Sequence, residues 1–84
     1  MSKRPRIRQR KALFPRLREI RADQLGWEVA DIVRRLPGQK PGASSVYRLE
    51  QGVGIRVTNA RRVFDVINAA LNNTLDPGKE LKVK

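Results

Sequence analysis

The apolar side chains of this 84-residue chain recur at helical spacing in several short segments. Between residues 28 and 36, the apolar positions follow the i, i+3, i+4, i+7 pattern of one helix face. The clearest stripe of this kind lies between residues 60 and 71. Each such stripe predicts an amphipathic helix that packs one face against a common core.

Prolines and glycines predict where these helices begin and end. Helix 1 is expected to begin near Pro15, because proline fits the first helical turn, and to end at Gly26. Helix 2 then covers about residues 28–36. Two prolines and two glycines within residues 37–42 predict a turn, and residues 53–57 read as an extended connection.

The last third of the chain carries a fourth helix and a tail. Thr58 or Asn59 is expected to cap helix 4, which should end at residues 72–73. Residues 76–78 predict a turn. Apolar and charged residues alternate over residues 80–84, which is typical of either a short strand or a frayed tail.

The predicted fold class is therefore all-α, a small bundle of four to five short helices. We expect a flexible basic arm at 1–11, a helical domain at 12–75 and a C-terminal tail at 76–84. With 84 residues the chain has room for one small core. The predicted core consists of Leu17, Ile20, Trp27, Ile32, Leu36, Val46, Leu49, Phe64, Ile67 and Leu71.

A third helix, at about residues 43–51, has an unusual outer surface. Its apolar residues are three apart, so they line one side, and Gly52 ends the helix. Short hydrogen-bonding groups and a cation occupy the other sides, a surface that suits reading base edges in a DNA major groove. The inward residues are Ala43, Val46 and Leu49, and the outward ones are Ser44, Ser45, Tyr47 and Arg48.

The charge balance favours a polyanionic partner. The chain has 19 Lys and Arg against 8 Asp and Glu, a formal net charge of +11. Residues 1–21 hold nine of the cations and one acid. Repulsion among so many like charges destabilises a compact chain unless the charges are solvated or neutralised by a partner. A basic tail without a partner is the plain alternative, and an arginine-rich mitochondrial presequence is another.

Absent residue types narrow the function classes. The chain has no Cys and no His, which removes the usual disulfide, thiolate, imidazole and zinc chemistry. No apolar run approaches the roughly 18 residues that a membrane span needs. We therefore expect a cytoplasmic protein that is not an enzyme, holds no metal or cofactor and does not enter a membrane.

Three segments resemble the Cro/CI-type (XRE-like) helix-turn-helix repressors of phages and bacteria. They are residues 17–21 (LREIR), 25–36 (LGWEVADIVRRL) and 44–52 (SSVYRLEQG), and the likeness covers about residues 13–72. The resemblance implies a lambda-repressor-like fold in which helix 2 crosses the DNA backbone and helix 3 reads bases.

The resemblance also assigns roles to residues. It implies base reading by Ala43, Ser44 and Arg48, with Ser45 and Tyr47 flanking them. Arg48 can bind guanine O6 and N7 in a bidentate pair. The resemblance also implies an ion pair between Arg21 and Glu50. The two other structural residues follow from the sequence itself: Trp27 is expected as a core anchor between helices 1 and 2, and Gly52 at the end of helix 3.

Cations outside helix 3 are expected to neutralise DNA phosphates. Those of the arm can do so or, in the case of Arg4, Arg6 and Arg8, can lie in a minor groove. Arg61 and Arg62 are placed in the first turn of helix 4. The full expected set is Lys3, Arg4, Arg6, Arg8, Arg10, Lys11, Lys40, Arg56, Arg61 and Arg62.

Three features depart from the family pattern. The connection between Leu36 and Val46 is longer than the family's tight turn. Val33 replaces a small alanine of helix 2, and Val29 stands where a glutamine commonly binds phosphate. These departures bear on how helix 3 is placed and on which residues read bases.

The function expected from all this is a sequence-specific DNA-binding transcriptional regulator, a repressor acting as a homodimer on a palindrome. An antitoxin that binds a toxin protein and represses its own operon is a narrower alternative, with residues 79–84 as the pairing or partner-binding strand. An RNA-binding or nucleoid protein that uses the arginine-rich arm is another. A protein–protein adaptor with Trp27 and Tyr47 as exposed anchors is the last.

Overall fold

The computed structural model describes residues 10–83, and helices account for most of them. The element order is β1 (Lys11–Leu13), α1 (Leu17–Glu19) continued by a π-helical turn (Ile20–Leu25), α2 (Val29–Arg35), a 3-10 turn (Pro37–Gln39), α3 (Ala43–Glu50), β2 (Ile55–Arg56), α4 (Val57–Ala70), α5 (Pro77–Glu80) and β3 (Lys82–Val83).

A small antiparallel sheet joins the two ends of the described chain. Its strand order is β2-β1-β3, so β1 lies in the middle. Lys11 lies opposite Arg56, and Ala12 lies opposite Ile55 on one side and Val83 on the other. The all-α prediction is therefore wrong in this respect. The three residues of β1 and the two of β2 are too few to show an alternating pattern, whereas the alternation over residues 80–84 indicates a strand at β3 as one of two alternatives.

The sheet also corrects the predicted domain boundaries. Lys11 was assigned to the flexible arm, but it is the first residue of β1. The tail, which the sequence left open between a strand and a frayed end, contains β3, and β3 pairs with β1. Both predicted appendages thus contribute strands to the folded domain.

The first helix begins later than predicted, at Leu17, but its π-helical continuation ends at Gly26 as predicted. Regular helix begins at Leu17, after a turn in which the Leu17 amide donates to the Phe14 carbonyl at 3.1 Å. Gly26 has φ of +63°, the left-handed conformation that ends a helix readily when the residue has no Cβ.

The second and third helices match their predicted ranges closely. Glu28 begins α2 with a capping box, in which the Asp31 carboxylate accepts from the Glu28 amide at 2.8 Å. The predicted turn at residues 37–42 holds the 3-10 turn, with Gly38 at φ of +64°. Gly42 then precedes α3 as its N-cap residue.

Helix 4 begins earlier than its expected cap. Its first residue is Val57 and Arg56 is the N-cap, so neither Thr58 nor Asn59 caps it. The chain passes directly from β2 into α4, and the Val57 amide donates to the Arg10 carbonyl at 3.1 Å, so a backbone acceptor takes the place of a side-chain cap at this amide. The helix ends at Ala70, two residues before the predicted Asn72, and Asn72 and Asn73 form the following turn at φ of +58°.

The core lies between the helices and the inner face of the sheet. Eight of the ten predicted core residues are buried, whereas Trp27 and Leu71 are half-buried. Phe14, which directly follows β1, is absent from the predicted core, yet its ring is fully buried and lies 5.8 Å from that of Phe64. The remaining buried apolar residues are Ala12, Val29, Ile55, Ala60 and Val63.

A salt bridge also joins α5 to the start of α1. Arg16 Nη1 donates to the Glu80 carboxylate at 2.9 Å, and its Nε donates to Glu19 at 3.1 Å. The Glu80 side chain is only 10% exposed. Among residues 10–83, no helix has the length and apolar character required to cross a membrane.

The buried position of Phe14 gives a stability prediction. We expect Phe14→Ala to lower the free energy of unfolding by about 3–5 kcal/mol, because it leaves a cavity against Phe64. Val83→Ala is the control, since Val83 is half-exposed and a surface change of this kind costs roughly 0.5 kcal/mol or less. Urea unfolding followed by tryptophan fluorescence measures both. Equal losses of unfolding free energy in the two variants would contradict a core that includes Phe14 beside β1.

Candidate nucleic-acid interface

The inner side of α3 is fixed to the core by two fully buried residues. Val46 and Leu49 are both 0% exposed, and they lie three residues apart on one face of the helix. The helix contacts α1, α2 and β2. Burial of this stripe determines which residues of α3 face outward.

An ion pair fixes the C-terminal end of α3 as well. Arg21 donates from Nε to Glu50 Oε2 at 2.6 Å and from Nη2 to Oε1 at 3.1 Å. The same guanidinium donates to the Trp27 carbonyl at 2.6 Å. The side chains of Arg21 and Glu50 are 15% and 7% exposed. The hydrogen bond to Glu50 raises the pKa of Arg21 above its ordinary value.

The outer side of α3 carries the residues expected to read bases. Ala43, Ser44, Tyr47 and Arg48 are exposed, and Ser45 is half-buried. Ala43 was also expected in the buried stripe, and this is wrong, because it is the first residue of the helix and stays exposed. Its exposure leaves the methyl group available to a ligand.

A cleft of about 340 Å³ lies on one side of this surface, between α3 and the strands β1 and β2. Three cations from three separate elements line it, and the described residues contribute no acid to its wall. We call it the basic cleft. Its lining residues are Lys11, Ser45, Arg48, Gly54, Ile55, Arg56 and Asn59.

A second cleft, of about 240 Å³, lies beside Tyr47. Its wall includes the Arg21–Glu50 pair and Gln51, and Arg18 of α1 adds an exposed cation. We call it the Tyr47 cleft. Tyr47 and Arg48 are adjacent in α3, so the outward surface of the helix lies between the two clefts.

The other expected phosphate contacts are spread more widely. Arg10 lies beside Arg56 in a small neighbouring cleft, and Lys40 is exposed before Pro41. Arg61 pairs with Asp65 at 3.3 Å. Arg62 lines a groove between α2 and α4 and none of the clefts named above.

The start of helix 4 changes the position of two expected phosphate contacts, and four others lie in the arm. Because the helix begins at Val57, Arg61 and Arg62 lie in its second turn and not in its first. Lys3, Arg4, Arg6 and Arg8, together with the minor-groove alternative for the arm, lie outside the described residues.

Trp27, one of the predicted structural residues, lines a shallow groove on the side of the molecule formed by α2 and α4. It lies between α1 and α2 as expected, and its amide donates to the Arg21 carbonyl at 2.9 Å. Its ring is half-buried, with the Arg35 guanidinium 4.2 Å from the ring centre. Val66, Ala69 and Ala70 of α4 complete this shallow groove.

The structure gives Gly52 and Val29 structural roles. Gly52, at φ of +80°, follows the end of α3, and the next amide, that of Val53, donates back to the Arg48 carbonyl at 2.8 Å. Val29 is buried, at 4% exposure, so the position has a role in packing.

Sequence reasoning missed three residues of this interface. Arg18 could have been found, because it lies one turn before Arg21 on the same helix. Asn59 was interpreted only as a cap. Gly54 allows a close approach, since a Cβ at this position would lie 3.0 Å from the Cβ of Lys11.

Comparison of the chain with protein-family models, with curated proteins and with solved structures gives no match. The functional argument therefore depends on the geometry and charge of this interface.

The Arg21–Glu50 pair gives a second stability prediction. We expect Glu50→Ala to lower the free energy of unfolding by about 3 kcal/mol, because it leaves the Arg21 guanidinium poorly solvated and without its partner. Asp65→Ala removes the exposed Arg61 pair and should cost about 0–1 kcal/mol. Urea unfolding of the two variants is the measurement, and equal costs would show that the pair contributes no more than a surface one.

Proposed function

We propose that this protein binds double-stranded DNA in a sequence-dependent manner and acts as a transcriptional repressor. In this proposal α2 and α3 form a helix-turn-helix, and α3 enters the major groove. One observation carries the proposal: the outer surface of α3 presents hydrogen-bonding groups between two cation-lined clefts, while buried contacts fix its inner side.

The two clefts fit the surroundings of a major groove. The groove admits an α-helix, and a phosphate backbone runs along each of its edges. With α3 in the groove, the basic cleft would face one backbone through Lys11 and Arg56. The Tyr47 cleft would face the other through Arg18. Phosphate contacts on both sides would set the depth and register of the helix.

The groups on α3 provide the chemistry for reading bases. Arg48 has the planar fork that matches guanine O6 and N7. Ser44 can donate or accept, and the exposed methyl group of Ala43 can contact a thymine methyl. Ser45 and Tyr47 flank these positions, as the resemblance to the Cro/CI-type family implies.

The overall charge supports a nucleic-acid partner, with a measurable consequence. Each phosphate that the protein neutralises lowers the slope of log K against log salt by about 0.9. A less specific DNA- or RNA-binding protein would share this dependence. It would differ by showing no preference among sequences.

The antitoxin alternative rested on the tail as a partner-binding strand. The structure pairs that strand, β3, with β1 of the same chain. Because the strand order is β2-β1-β3, β3 is an edge strand whose other side has no partner among residues 10–83, and the antitoxin function stays the narrower alternative. Dimerisation on a palindrome stays part of the proposal, and sedimentation with and without DNA tests it.

Arg48 provides the sharpest test of base reading. We expect a random-sequence selection with the wild-type protein to enrich one motif that contains a guanine whose preference disappears in Arg48→Ala. Loss of a bidentate pair should reduce discrimination at that position by about 1–3 kcal/mol. Lys79→Ala is the control, because Lys79 is exposed on α5 and lines neither cleft.

The conservative variant Arg48→Lys separates base reading from simple charge. Lysine keeps the charge but lacks the planar fork, so the guanine preference should be weaker than in the wild type and stronger than in Arg48→Ala, while overall affinity largely recovers. If Arg48→Ala weakens every sequence equally and Arg48→Lys restores all of them, Arg48 contacts phosphate and the base-reading role is wrong.

A further inference from the structure

The basic cleft contains an arrangement that folding alone does not favour. Lys11 and Arg56 lie directly opposite each other in the register of β1 and β2. Directly opposed residues of an antiparallel pair share one face of the sheet, and like charges at such positions are destabilising. Arg48 adds a third cation to the same cleft.

Nothing in the described part of the chain compensates this repulsion. The salt bridges of residues 10–83 involve Arg16, Arg21, Arg34 and Arg61, and none involves the three cations of the cleft. The other face of the same strands is well packed, with Ala12 at 0% and Ile55 at 6% exposure. The sheet thus fixes the backbone positions from which Lys11 and Arg56 extend.

The remaining lining of the cleft completes a site for an oxyanion. Ser45 offers a hydroxyl and Asn59 an amide, and both can donate a hydrogen bond. At Gly54 the missing side chain lets the backbone approach Lys11 closely. Among residues 10–83 no aromatic side chain lines the cleft, so this part of the chain gives it no surface on which a base could stack. Guanidinium and ammonium groups together are suited to phosphate.

We propose that the basic cleft binds one phosphate group, held by Lys11 and Arg56 with Asn59 and Ser45 as additional donors. The inference rests on the proposed function for the source of that phosphate, which would be a backbone phosphodiester beside the groove occupied by α3. A free phosphorylated small molecule has the same chemistry, and the experiments below distinguish the two sources.

A charge-reversal variant separates binding from folding. Lys11→Glu places a carboxylate opposite Arg56, so we expect its melting temperature to equal or exceed that of the wild type. Its affinity for the selected duplex should nevertheless fall by more than about tenfold, because a like charge then faces the phosphate. Lys79→Glu makes the same change of net charge on α5, outside the cleft, and should lose much less.

Duplexes with single neutral methylphosphonates identify the phosphate concerned. We expect one substituted position, or two neighbouring ones, to weaken binding of the wild type by several-fold and to leave the affinity of Lys11→Glu equal or higher, because its carboxylate no longer faces a charged phosphate. The same positions should weaken Lys79→Glu as they weaken the wild type. This result assigns the cleft to one backbone phosphate.

A titration without DNA keeps the cleft testable if the protein proves not to bind DNA. Inorganic phosphate, compared with chloride at equal ionic strength, should shift the amide resonances of Ser45, Gly54 and Asn59 in the wild type and not in Lys11→Glu. If these resonances shift but no methylphosphonate changes DNA binding, the cleft is a site for a phosphorylated small molecule. In that case the proposal of a DNA phosphate is wrong, and the proposal of a phosphate site stands.

Two results would overturn the inference. One is that neither methylphosphonates nor inorganic phosphate has an effect at the cleft. The other is that either effect is as large in Lys11→Glu as in the wild type. A drop in the melting temperature of Lys11→Glu would also contradict it, because the cross-strand repulsion on which it depends would then be absent.

Discussion

The packing of α3 against the core is the constraint on which the rest of the interface depends. Val46 and Leu49 are completely buried and fix the rotation of the helix about its axis. The Arg21–Glu50 pair fixes its C-terminal end, and the same guanidinium holds the Trp27 carbonyl at the junction of α1 and α2. Rotation of α3 would break these contacts together, so its outward residues have a single orientation.

Charge is distributed around this helix in two ways. Cations in ion pairs hold elements together, as Arg16 does between α1 and α5. Three of the cations that form no salt bridge in the described chain meet at the basic cleft, Lys11 and Arg56 on the sheet and Arg48 on α3. The first group contributes to stability, whereas these three repel one another, a cost that the proposed phosphate would offset. The short sheet therefore serves both to close the core and to position charge.

Much of the helical scaffold could be predicted from the sequence, because apolar spacing and punctuation by Pro15, Gly26 and Gly52 agree with each other. The sheet could not be predicted, because its strands have two or three residues and their pairing joins distant parts of the chain. The outward face of α3 followed from its periodicity. The two clefts beside α3 could not be predicted in this way. The basic cleft depends on the register of β1 and β2, and Arg18 lines the Tyr47 cleft because α1 packs beside α3.

Sequence-dependent DNA binding by the outer face of α3 is the central claim. Its most direct test is the affinity of the protein for the duplex enriched by selection, relative to a shuffled duplex, measured by fluorescence anisotropy from about 50 to 200 mM salt. The account predicts a preference of roughly 1,000-fold or more that persists at the higher salt. Equal affinities that fall together as salt rises would contradict it, because binding would then depend on charge without any reading of bases.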